Sequence, residues 1–299
     1  MTATLFAQLF FDGLATGLVF VILACGFIII ISISKIMFLA YGAFYTIGAY
    51  ITWYAMQYLH IHYLFGLIIG VVSAALVSLI AYLLIFQRLK LKYGKKAFMS
   101  TLIGSISLQM LITQTGVLLY GNQSRSIPNV FPGTFTPFGM HITLSRVVLI
   151  ALSVSVALIL FYFYQRTAFG RSMRAVSIRP DLAAVQGINV NRVYLISMGL
   201  GCALAAFGGA MLAPQYGMDP LMGANVVWIV MLGTMLGGMS SLLGAVVGGI
   251  IIGQTLSFGL FFMGSLIQLV IYVGIIIMMY FKPGGILGQT LDLGVGIDD

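Results

Sequence analysis

The sequence predicts an all-α polytopic membrane protein with about nine transmembrane helices, within a range of roughly eight to ten. Three observations predict it. Hydrophobic residues make up 61% of the 299-residue chain and charged residues 7%, whereas soluble domains carry roughly 25% charged residues. The mean hydropathy is +1.11, and Glu is absent altogether. The apolar runs recur at about the 20 residues that a helical span requires, and they are apolar on every face, unlike the alternating strands of a barrel.

Taken in order, the expected spans are Leu9–Ile31, Met37–Gln57, Tyr63–Gln87, Ala97–Tyr120, Leu144–Gln165, Val193–Pro214, Ala224–Gly238, Leu242–Phe262 and Ser265–Phe281. No Lys or Arg precedes the first, so it lacks the basic flank of a secretory signal and is expected to be retained. The seventh is short and is expected to be broken or half-length. Residues 1–299 form a single integral domain. Glycines recur four apart at Gly13/Gly17, Gly66/Gly70, Gly233/Gly237, Gly244/Gly248 and Gly249/Gly253. Within lipid this spacing lets helix backbones approach closely. The outer loop Gly121–Thr143 carries three prolines and is an ordered cap or docking surface, or a plain connector.

Charge placement orients the chain. Arg88, Lys90, Lys92, Lys95 and Lys96 follow the third span, and Arg166, Arg171, Arg174, Arg179 and Arg192 follow the fifth. Lys35 and Lys282 fall on the same side by parity, and only Arg125 and Arg146 on the other. Twelve of fourteen cations on one side place the amino terminus outside and the carboxyl terminus in the cytoplasm. The same placement argues against nucleic acid as the reason for the +8 net charge.

Catalytic constellations are missing, so no enzyme is expected in this chain. His60, His62 and His141 fall in outer loops without a nearby carboxylate, which argues against a metal site. Cys25 and Cys202 lie deep in expected helices as small apolar residues. No glycine loop followed by Lys-Ser/Thr is present to bind ATP. Asp12 lies near the outer end of its span, and Asp219 in an outer loop. Asp181 is cytoplasmic, and Asp292, Asp298 and Asp299 are in the tail. The midplane therefore lacks the carboxylate that ion-coupled carriers commonly use.

The charged stretch "GRSMRAVSIRPDLAAVQGINVNR", Gly170–Arg192, must lie outside the bilayer, since Arg at a helix centre costs about 2.5–3.5 kcal/mol. Its grammar predicts a rigid helix–turn unit within a cytoplasmic loop at about 166–192. "GRSMRAVS" is expected as one short turn with Arg171 and Arg174 on one face. Pro180 fits a first helical position and Asp181 the positive end of the dipole. Gly187 fits a left-handed stop.

This unit resembles the coupling loop of ABC importer permeases, which reads roughly acidic–x–Ala–x–x–x–Gly–Ile. Asp181, Ala183 or Ala184, Gly187 and Ile188 stand at those places, with Asp for the commoner Glu. The chain is similar, more specifically, to the membrane subunits of branched-chain amino-acid ABC importers. "RSMRAV" (Arg171–Val176), "GINVNRV" (Gly187–Val193), "GLGCALAAFGGAMLAPQYGMDPLMG" (Gly199–Gly223), "MLGGMSSLLGAVVGGIIIG" (Met235–Gly253) and "FKPGGILG" (Phe281–Gly288) match family segments. The likeness covers nearly the whole chain. One stretch departs: Phe38, Tyr41 and Ala43 of "FLAYGAFYTIGAY" stand where the family commonly has Asn, His and an acid. The solute class thus stays open among branched-chain amino acids, amides, urea and organic acids.

The resemblance implies a multi-pass subunit of a bacterial-type inner membrane. Its implied partners are a second permease, similar or identical, two cytoplasmic ATPases that bind ATP and Mg, and an external substrate-binding protein. Transport would follow alternating access. Arg171, Arg174, Asp181, Leu182, Ala184, Val185 and Gly187 would dock in an ATPase groove, Leu182 and Val185 having the spacing of apolar anchors. Tyr41 and Tyr45, four apart, together with Asn225 and Gln254, are expected to border the solute path; interhelical hydrogen bonding is the alternative. An ion-coupled or passive carrier is the competing function, and a structural subunit of another complex the third.

Overall fold

The computed structural model describes residues 3–93, 97–127, 133–135, 142–238, 241–281 and 285–286. Lys95, Lys96, His141, Lys282, the three tail aspartates and the prolines of the outer loop lie outside the described residues.

The described residues are helical almost throughout. Helix α1 spans Ala3–Ser34, α2 Tyr41–Leu59 and α3 Tyr63–Ala81; a π-turn, Tyr82–Phe86, continues into α4, Gln87–Tyr93. Then come α5 (Ala97–Tyr120), α6 (Leu144–Arg166), α7 (Ala168–Ile178) and α8 (Pro180–Val185). The carboxyl-terminal part holds α9 (Val190–Tyr216), α10 (Met222–Gly237), α11 (Leu242–Met263) and α12 (Ile267–Phe281). In the loop before α6, β1 (Thr134–Phe135) pairs antiparallel with β2 (Ile142–Thr143).

Among the described residues, six helical runs are long and apolar enough to cross a membrane: α1, the continuous α3–α4 run, α5, α6, α9 and α11. The expected count of about nine is met only by adding helices that are shorter or less apolar. These are α2 with 19 residues, α10 with 16 and α12 with 15. The shortness of α10 matches the expectation for the seventh span.

Helix α1 forms the centre, packed chiefly against α11, α9 and α6. A helix apolar on every side is stable only when surrounded. In its most apolar stretch 89% of α1 is buried, against 11% for α5. Glycines set how near the neighbours come. Gly249 meets the Val21 backbone, and Gly253 meets Gly17 and Gly13. Gly233 faces Gly248, and Gly237 faces Gly244 where α10 crosses α11. Cys25 and Cys202 are buried in this core, 6% and 0% exposed.

Two departures from the expected elements matter. The third span continues past Gln87 through the π-turn, so Lys90 is not a loop cation. Its Nζ donates to Ser34 O at 2.6 Å, at the carbonyl end of α1, and lies 3.7 Å from the centre of the Tyr194 ring. The second helix starts at Tyr41, not Met37, because Lys35 takes φ 52° and turns the chain back. The Tyr41 hydroxyl donates to Leu23 O at 2.8 Å. Leu23 lies about 16 Å along α1 from its end at Ser34, counted at 1.5 Å per residue. Helix α2 therefore begins beside the interior of α1, at membrane depth.

Candidate functional site

At the α6–α7 junction the Thr167 hydroxyl accepts the Gly170 N–H at 3.0 Å. A side chain at residue 170 would overlap the carbonyls of Phe163 and Tyr164, so glycine permits the tight bend. Arg174 folds inward and donates to Tyr164 O, and to Gln165 O at 3.3 Å. A cation on last-turn carbonyls satisfies orphan acceptors and complements the dipole. Arg171 and Arg174 stand three apart on α7, as expected of one face, but they have different surroundings. Arg171 is exposed, whereas Arg174 binds α7 to α6. The unit is also longer than one turn. Helix α7 has 11 residues, anchored on the core through Gly170, Met173 and Val176.

Helix α8 starts with Pro180 in its first turn, with Asp181 beside it, and Ala183 turns into the core at 2% exposure. It ends in a Schellman closure. Gly187 N–H donates to Ala184 O at 3.0 Å and Ile188 N–H to Ala183 O at 3.1 Å, with Gly187 at φ 83°. Asn189 then caps α9 by accepting the Arg192 N–H at 3.1 Å. Leu182, Ala184 and Val185 are left on the outside; Leu182 is 56% exposed and Val185 86%. Ile178, Arg171 and Arg179 are exposed on the same unit. Helix α8, closed at its end by Gly187, thus carries Leu182 and Val185 as an exposed apolar pair.

A second feature lies at membrane depth. The first turns of α2 and α10 meet at Gly42 and Gly223, where a side chain on either would overlap the other's backbone. The first N–H groups of a helix have no partner within it. Gln109, midway along α5, supplies one: its Oε1 accepts the Ala43 N–H at 2.8 Å. Ser105, one turn earlier, accepts the Leu39 N–H at 3.3 Å. Beside these contacts a cleft of about 850 Å³ opens between α5 and α10, its wall including Leu39, Gln109, Thr113, Gln114, Ala224 and Trp228. Leu111 separates it from a cleft of about 270 Å³ between α2 and α5, whose wall includes Thr46, Tyr50, Thr115 and Tyr120. Above them Arg125 lies 4.6 Å from the Trp53 ring centre and donates to Tyr120 O at 2.9 Å.

The four residues expected along a path are not brought together. Tyr41 is 1% exposed, its ring against Phe27 and its hydroxyl spent on Leu23. Tyr45 is 5% exposed, its backbone against Gly209. Gln254 donates to Phe10 O at 3.2 Å, and Phe10 lies about 20 Å from Leu23 along α1. Tyr41 and Gln254 thus make the interhelical bonds that were the alternative. Asn225 is exposed and follows Ala224 of the large cleft. The residues that line the clefts, Gln109, Thr113, Gln114 and Tyr50, were not singled out. The signal available was two glutamines, Gln109 and Gln114, set among the serines and threonines of that span.

The histidines His60 and His62 are exposed; His60, at φ 51°, closes α2. Asp12 is paired with Arg146, tying α1 to α6, and Asp219 accepts the Leu221 N–H at 2.9 Å.

Long apolar helices around a buried first helix, with a rigid polar unit between α6 and α9, define a polytopic membrane protein of the permease class. The chain belongs to the family described as the branched-chain amino acid transport system permease component, whose model matches residues 9–280. It is 27% identical to the high-affinity branched-chain amino acid transport system permease protein BraD of Pseudomonas aeruginosa, covering 95% of this chain and 96% of that one. It is 28% identical to the probable branched-chain amino acid transport permease protein LivH of Methanocaldococcus jannaschii, covering 90% and 88%. Among solved structures, PsaBC from Streptococcus pneumoniae in complex with Fab aligns over 93% of this chain and 92% of that one, with 15% identity and a TM-score of 0.49.

Proposed function

We propose that the chain is the membrane subunit of an ABC importer and moves a small polar organic solute inward by alternating access. The carrying observation is the α7–α8 unit, whose exposed Leu182 and Val185 sit on a capped helix fixed to the membrane bundle. In this reading α8 seats in a groove of a cytoplasmic ATPase, a helix-in-groove contact. Arg171, Arg179 and Asp181 stand at its rim. Arg174 holds α7 on α6, so a push on α8 reaches α6 and, through it, α1. ATP and Mg belong to the ATPases, and an external binding protein delivers the solute. A second permease, similar or identical, completes the assembly in an inner membrane, and α1, α2, the α3–α4 run, α5, α6, α9, α10, α11 and α12 all span, the amino terminus outside.

The solute passes along α5. Helix α5 carries Gln109, Thr113, Gln114 and Thr115 at membrane depth, and polar side chains there face a cavity or a bundle interior rather than lipid. The engagement of Asp12 by Arg146 leaves little for an ion-coupled mechanism to use. Purification from native membranes tests the reading. Two ATPase chains should accompany the tagged protein, and Leu182→Asp with Val185→Asp should release them without loss of the permease. A self-sufficient homo-oligomer would contradict it.

A further inference from the structure

One cation of the third span ties three helices together. Lys90 is half-buried, its ammonium on the Ser34 carbonyl at 2.6 Å and 3.7 Å from the centre of the Tyr194 ring. Its neighbours Arg88 and Lys92 are exposed. The π-turn at Tyr82–Phe86 aims Lys90 inward. Such a turn adds one residue to a helical run, and one residue is about 100° of helix. Without it Lys90 would point more than a quarter of a turn away. A cation on a last-turn carbonyl closes the open end of α1, and an ammonium over an aromatic face is attracted to it.

The two partners of Lys90 belong to different parts of the molecule. Tyr194 lies in the first turns of α9, which Asn189 caps and the Gly187 turn joins directly to α8. Ser34 ends α1, and the chain from Lys35 to Ala40 leads on to α2, with Leu39 in the wall of the larger cleft.

We propose that Lys90 is a positioning residue for transport: it carries movement of α8 and α9 to the end of α1, and from there to the wall of the larger cleft. This route is separate from the one through Arg174 and α6. It touches neither ATP nor solute, and it sets how much uptake each hydrolysed ATP produces. The proposal rests on the reading of the chain as an ABC importer subunit.

The test measures ATP hydrolysis and uptake of radiolabelled L-leucine, isovaleramide and urea in the same proteoliposomes, which hold the complete transporter and its binding protein. Loss of folded protein lowers both quantities together and leaves their ratio unchanged. Lys90→Met should still hydrolyse ATP, while uptake per ATP falls about fivefold or more. Lys90→Arg, which keeps a cation able to lie over the ring, should recover most of that loss. Tyr194→Ala should lower the ratio likewise, and Tyr194→Phe, which keeps the ring face, should not. Joining Lys90→Met to Tyr194→Ala should lower it little further, as for two residues of one contact. Lys92→Met is the exposed control and should leave the ratio as it was. An unchanged ratio in Lys90→Met, or an equal fall in Lys92→Met, overturns the proposal. Where Lys90→Met does not accumulate, the Tyr194 pair decides, and equal ratios in Tyr194→Ala and Tyr194→Phe overturn it. Uptake by the unaltered transporter that needs no ATP overturns the importer reading, and the proposal with it.

Discussion

Two residues of the cytoplasmic unit carry opposite kinds of constraint. Gly187 has open space where a side chain would be, so only its φ of 83° resists substitution. Gly187→Val should cost roughly 1–2 kcal/mol of local stability at this turn. The protein should still insert, while ATP hydrolysis and uptake in the same proteoliposomes become uncoupled. Gly187→Asn should be milder, because Asn visits this conformation more readily. Arg174 is constrained by its partners instead. Arg174→Ala, which strips the end of α6 of a charged donor, should lower stability by about 1–3 kcal/mol, while Arg171→Ala should stay within about 0.5 kcal/mol. Thermal unfolding followed by tryptophan fluorescence separates the two. The stop at Gly187 was legible because Pro, Asp and Gly punctuate a helix locally. The inward turn of Arg174 was not. An i, i+3 spacing places two residues near one face without saying which face meets the core, and a guanidinium can reach a carbonyl ten residues back.

At the scale of the element, contact between helices depends on what the glycines leave out. Gly48 lies against the Ala206 backbone, where α2 crosses α9, so any side chain there separates the two helices. Gly48→Ala should cost about 1–3 kcal/mol and reduce accumulation in the membrane. Gly274 of α12 has nothing within reach of a Cβ, and Gly274→Ala should change stability by no more than about 0.5 kcal/mol. Quantifying folded protein by size-exclusion after mild heating checks both. The helices themselves were legible, since hydropathy and length mark a span directly. Their ends were less so. The extension of the third span to Tyr93 and the late start of α2 depend on a π-turn and on one positive φ, neither of which has a compositional signature. Phe38, Tyr41 and Ala43, where the chain departs from the family pattern, fall around this late start. Phe38 stacks on Phe44 and meets Phe86 edge to face, and the Ala43 N–H is held by Gln109. Phe38 and Ala43 thus serve packing, and Tyr41 joins α2 to α1.

At the scale of the whole molecule, the charge split and the fold describe one object with two ends. Cysteine at Arg179, exposed on the coupling unit, should be shielded from impermeant thiol reagent in intact cells. Cysteine at His60, exposed at the end of α2, should label. The reverse pattern would invert the proposed orientation. The family was legible in motifs spread over nearly the entire chain, but the pair of clefts beside α5 was not. It is assembled from α2, α5 and α10, far apart in sequence, and side chains that line a cleft look the same in sequence as those that bridge helices.

The central claim is that this bundle does work only when ATPases push on α8. The most direct measurement is uptake of radiolabelled L-leucine, isovaleramide and urea into proteoliposomes holding the purified transporter, with its binding protein outside the vesicle and ATP supplied on the face that carries Arg179. The account predicts uptake of at least one of them that requires ATP and is lost with Leu182→Asp and Val185→Asp, although the variant still inserts. Uptake that proceeds without ATP, or that survives the double substitution unchanged, would contradict it.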